Sequence, residues 1–135
     1  MLFVVGWWVG TTLVARAEAG EAWFRMQIQQ APVGSQHLIW KRTSQGWRVT
    51  EDLSLHILML GVEKKMESHT TAELARDFSL QQFTFTLRTQ DQDLRMEGTV
   101  RAGTLTVQWT VNRARANHRT FALSQPVYLA SAVVP

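Results

Sequence analysis

The 135-residue chain contains no cysteine. That excludes a disulfide framework, a cysteine-ligated metal and a cysteine nucleophile. It fits an oxidising compartment as well as a reducing one. Proline is scarce: two of the three lie in the closing stretch "SQPVYLASAVVP". There is no Gly-rich phosphate loop, which removes nucleotide chemistry, and no "GxSxG" elbow for a serine nucleophile. Charge of one sign is lacking too. The 14 Lys and Arg against 11 Asp and Glu leave +3, scattered along the chain. So mild a balance favours solubility and is no nucleic-acid footprint.

Long apolar runs are also missing. The opening "MLFVVGWWVGTTLV" carries no charge but falls short of the roughly 20 residues needed to span a bilayer. Behind it, Ala15-Arg16-Ala17 and Ala17-Glu18-Ala19 have the small-x-small form of a signal-peptidase site. Residues 1–19 therefore read as a signal peptide or N-terminal anchor with an apolar helix, despite the missing basic n-region. A buried N-terminal helix is the other reading. Export is expected, to the periplasm or the outer face of the inner membrane.

What the chain does have is a period of two. Leu94, Met96, Gly98 and Val100 alternate with Arg95, Glu97, Thr99 and Arg101. Leu105, Val107, Trp109 and Val111 alternate with polar residues, as do Phe83, Phe85 and Leu87. Trp47, Val49, Leu53, Leu55, Ile57 and Met59 form a longer set, interrupted by Glu51, which is expected at a bulge or at the sheet's margin. One apolar and one wet face per segment is the mark of antiparallel strands. Turn signals lie between them: "APVGS", "TSQG", Gly61, "TQDQD", "RAG" and "NRARAN". An all-β meander of about eight strands is expected over residues 20–135, the last near Thr120 to Leu123. "TTAELARDF" has room for one helical turn. With no substantial helix to cover it, the sheet is expected to curl strongly or form an open barrel. The end, "SQPVYLASAVVP", loses the alternation and reads as an extended strap, or as the start of a connection.

Chemistry is thinly represented. Glu67 and His69 share a strand face, and His56 lies on the wet face of the preceding strand, but such loose spacing does not define a metal site. His37, after the "APVGS" signal, reads as an exposed or edge-packed hairpin residue. Glu51 and Asp52 are adjacent on a strand and point apart. No catalytic, metal or cofactor site is assigned. Two surfaces remain: an apolar face with Trp23, Trp47, Phe83, Phe85 and Trp109, suited to a lipid or a partner segment, and the cluster Arg113, Arg115 and Arg119, suited to an anionic partner. The basic cluster lacks interleaved aromatics, so nucleic acid is not expected.

The hairpin "EAWFRMQIQQAPVGSQH", the segments "GWRVTEDLSLHILMLGVEKKMES" and "DFSLQQFTFTLRTQDQDLRMEGTVRAGTLTV", and the closing "PVYLASAVVP" together resemble the β-rich N-terminal domain of exported bacterial transglutaminase-like (papain-fold) proteins. The likeness covers residues 21 to 135 and rests on Trp23, Gly34, His37, Phe83 and Gly98 as anchors. It implies a non-catalytic accessory domain that packs against or regulates a C-terminal Cys-His-Asp hydrolase or transferase domain, none of whose triad is present here. The alternative expectation is a periplasmic carrier of lipid or another hydrophobic ligand.

Overall fold

The structure, a computed structural model, describes residues 19–129. In them eight strands follow one another: β1 (Gly20–Ile28), β2 (Ala31–Arg42), β3 (Gly46–Met59), β4 (Val62–Ala75), β5 (Leu80–Thr89), β6 (Asp93–Arg101), β7 (Thr104–Val111) and β8 (Asn117–Ala122). Each pairs antiparallel with the next, and the spatial order is the chain order. The fold is thus an all-β meander in one open sheet. The described residues contain no helix. The expected signal helix lies outside them, apart from Ala19.

Register sorts the side chains. Trp47 stands opposite Leu74, and Val49 opposite Trp40 and Ala72. Leu55 is opposite Met66, Ala72 opposite Phe83, and Met96 opposite both Phe85 and Trp109. Directly opposed residues project to the same side of a sheet, so these build one apolar face across the strands. Gly98 makes room on it: a Cβ there would collide with the ring of Phe83. The opposite face is wet and tied by ion pairs, Arg48 to Glu73 at 2.5 Å and Arg95 to Glu97 at 2.7 Å, and by a hydrogen bond between His69 Nδ1 and Asp52 at 2.6 Å.

The core occupies one end of the apolar face. Leu38, Trp47, Val49, Ala72, Leu74 and Leu80 form the buried cluster, with Phe24, Trp40, Phe83, Val127 and Leu129 packed against it. The extended segment after β8 supplies the last two, and the Val127 carbonyl accepts a hydrogen bond from the Leu80 N–H at 2.7 Å. Phe78, in the β4–β5 turn, stacks on Trp47 at 5.5 Å. Residues on both sides of a turn and a crossing strap thus cover the end of the face that the sheet itself leaves open.

Three local expectations are corrected. Residues 31–35 are not a turn: β2 starts at Ala31, and the chain reverses at Gln29 and Gln30, both with positive φ. Pro32 fits the strand because, at its rung, β2 pairs with β1 alone, so its missing N–H interrupts no second ladder. The helical turn is absent, since β4 continues through Ala75. Finally, Glu51 sits in the middle of β3, opposite Leu38 and Thr70 in unbroken register, neither at a bulge nor at a margin.

Candidate functional site

The polar rung of Glu51 and Thr70 divides the apolar face. On one side lies the covered core. On the other, Leu53, Leu55, Ile57, Met66 and Leu87 are only half buried. Leu55, Ile57 and Met66 line an open groove of about 290 Å³. Lys64, Lys65, Thr89, Gln90 and Asp91 form the rest of its lining. The register explains this mixture. Lys64 stands opposite Ile57 on the apolar side, whereas Lys65 stands opposite His56 on the wet side. Aliphatic floor and cationic rim therefore meet in two rungs. A larger concavity of about 660 Å³ lies at the other end of the sheet, beside the β2–β3 turn. Its charges Arg48 and Glu73 are committed to each other.

The aromatic residues singled out from the sequence do not all converge. Trp47, Phe83, Phe85 and Trp109 share the apolar face, with Trp47 in the covered core. Trp23 does not join them. It pairs with His37, which pairs with Asp52 and through it with His69, all on the wet face. Trp23 is 65% exposed and stacks flat on His37, with ring centroids 3.6 Å apart. The alternation Glu21, Trp23, Arg25 against Ala22, Phe24, Met26 already marked this side.

That stack settles the place of His37. It is a strand histidine under an indole, 3.7 Å from Glu21 Oε2, and its Nε2 is enclosed with no hydrogen-bond partner among the described residues. His56 and His69 are engaged separately. His69 Nδ1 meets Asp52 and its Nε2 meets the Thr71 hydroxyl at 3.2 Å; His56 pairs with Glu63. His56, Glu67 and His69 do not assemble, and no group of three metal-ligating side chains occurs among the described residues.

The basic cluster also divides. Arg113, with positive φ, and Arg115 lie in the β7–β8 turn. Arg119 is in β8 opposite Val107, on the apolar side. Its guanidinium lies 5.3 Å from the centre of the Phe121 ring, a cation–π contact.

No protein-family model, curated protein or solved structure matches the chain. An aliphatic floor excludes water and favours apolar chains, roughly in proportion to the area covered. A lysine at its edge supplies an ammonium donor for an anion. The residues that do this, Leu55, Ile57, Lys64 and Met66, were only partly visible in the sequence. The alternation flagged Leu55 and Ile57. Lys64 and Met66 belong to a segment whose own apolar set is broken by Lys64, Ser68 and Thr70.

Proposed function

We propose that this chain is a non-catalytic binding module that holds the apolar tail of an anionic amphiphile, such as a long-chain fatty acid, along the open end of its sheet. The tail lies over Leu55, Ile57 and Met66, and the anionic head faces Lys64. The observation that carries the reading is the contrast within one face: the same strands are buried at one end and groove-lining at the other. Ligand sites are typically concave and largely apolar with a few placed polar groups, and this groove has that composition.

A second reading is favoured by the strap. Residues 127 and 129 already lie on the face as polypeptide, so the open end also suits a segment of an adjoining domain. That is the accessory role implied by the likeness to transglutaminase-like proteins. Titration with a fluorescent fatty acid below its micelle concentration separates the two. Saturable one-to-one binding, weakened by Leu55→Asp and Lys64→Glu, is expected for the amphiphile. Absence of binding to the folded protein would remove the first reading and leave the second.

A further inference from the structure

The β3–β4 hairpin outruns the sheet. β2 last pairs with β3 at Gly34–Leu55, and β5 last pairs with β4 at Thr89–Met66. Four further rungs follow in which the hairpin pairs only with itself: His56–Lys65, Ile57–Lys64, Leu58–Glu63 and Met59–Val62. At 3.3 Å per residue these project about 13 Å beyond the neighbouring strands. A free projection of this kind is normally polar. Here Leu58 is 73% exposed, Met59 58%, Val62 51%, and Leu60 wholly so.

The turn itself makes the choice of residue conspicuous. Leu60 and Gly61 have φ of 51° and 78°, the pattern of a two-residue type I′ turn, where Asn-Gly is the favoured pair. A leucine in the left-handed region is strained, and this one gains no packing in return. The exposed side chain is therefore unexplained by the fold. Directly behind the tip stand Lys64 and Lys65, neither in an ion pair among the described residues. Glu63, the acid between the tip and the lysines, is hydrogen-bonded to His56 Nε2. Arg113 and Arg115 lie in the β7–β8 turn at the same end of the sheet, as does Ile28, 53% exposed, beside the β1–β2 turn. Asp91 in the β5–β6 turn, Asp93 at the start of β6 and Glu63 on the hairpin are the opposing charges there.

We propose that the β3–β4 hairpin is a membrane-docking element: Leu58, Met59, Leu60 and Val62 enter the acyl boundary of an anionic phospholipid bilayer, while Lys64 and Lys65 meet its headgroups. An apolar tip backed by lysines is the arrangement that binds such an interface, by apolar burial plus attraction to anionic lipid. A protein partner fits less well, because the apolar residues stand at a projecting tip with no concave seat, and a strand added along the hairpin's unpaired outer edges would leave Leu60 in the turn uncovered. The proposal does not depend on what the groove holds, although the groove begins at the base of this hairpin.

The absence of cysteine makes the test specific. In the full chain, Val62→Cys at the tip and Ser44→Cys in the β2–β3 turn at the opposite end are each labelled with an environment-sensitive fluorophore. Both are mixed with vesicles of neutral phospholipid, with or without phosphatidylglycerol. The label at 62 is expected to shift to the blue and to be quenched by spin-labelled lipid, with the label at 44 unchanged. Because the readout is local, it is insensitive to membrane contact elsewhere in the chain. Adding Leu60→Asn is expected to raise the lipid concentration needed about tenfold, the scale of one leucine's burial, without lowering the melting temperature, since Asn suits the turn. Lys64→Gln with Lys65→Gln is expected to weaken binding to the anionic vesicles by about tenfold or more, and binding to neutral ones far less. A label at 62 that stays water-like with anionic vesicles overturns the proposal, as do equal shifts at 44 and 62. A shift at 62 that grows with protein concentration without vesicles also overturns it, and assigns the tip to a second copy of the chain.

Discussion

At the end of the sheet carrying the β2–β3 and β4–β5 turns, Trp47, Val49, Ala72 and Leu74 are buried beside Leu80, Val127 and Leu129. At the other end, Leu53, Leu55, Ile57 and Met66 continue the same two strands on the same face, yet remain half buried along a groove. The residue types hardly differ. What differs is the cover: a strap and a turn over the first end, and an apolar-tipped, lysine-backed hairpin rising past the second. Hydrophobic content alone therefore does not separate core from site in a one-layer sheet. The material that crosses the face does.

Substitutions at the two ends sharpen this contrast. The largest effect is expected from Trp47→Ala, which empties the covered end; urea denaturation should show a loss of about 3–5 kcal/mol. Gly98→Val comes next. It forces Phe83 out of its seat, and a loss of about 1–3 kcal/mol is expected for such overpacking, with thermal melting as the check. Ile57→Ser, at the open end, should cost less than about 1 kcal/mol, yet abolish saturable fatty-acid binding. Equal destabilisation by Ile57→Ser and Trp47→Ala would break the comparison. On the wet face Asp52→Asn alters an exposed hydrogen-bonded contact to His69 and should change stability by less than about 1 kcal/mol in a urea titration.

The smallest effect concerns the turn that carries Phe78 over Trp47. The Ser79 hydroxyl and then the Ser79 N–H bond to the Asp77 carboxylate and hold its pKa below the usual value of 3.8. Since the folded pKa is the lower one, its contribution is complete above the ordinary value and is lost as pH falls through the folded one. Asp77→Asn should therefore flatten the stability profile only at its acid edge, measured by melting temperature between pH 5 and pH 2.

Much of the sheet was legible in the sequence because a half-buried strand has to alternate. Phe83 to Leu87, Leu94 to Val100 and Leu105 to Val111 announced β5, β6 and β7. Legibility fails where a residue type stands outside its usual environment. Pro32 and Gly34 signalled a turn but lie in a strand whose second neighbour ends beside them. Gln29 and Gln30 carry no turn signal, yet both take positive φ. Trp23 is a residue type expected on the apolar face, but it alternates with Ala22 and Phe24 and shares its side with Glu21 and Arg25. The candidate groove was harder still. Its cationic rim needs the register of β3 on β4, and register is a property of two strands together. The open end could not be told from the covered end at all, because the strap that covers one of them comes from residues far along the chain.

Native mass spectrometry of the full chain, released from a total lipid extract and compared with Leu55→Asp and Trp40→Phe, tests the amphiphile seat most directly. The expected result is one anionic amphiphile per chain in the native protein and in Trp40→Phe, and none in Leu55→Asp. Bare protein in all three, or an adduct that survives Leu55→Asp, would contradict a ligand seat at the open end of the sheet.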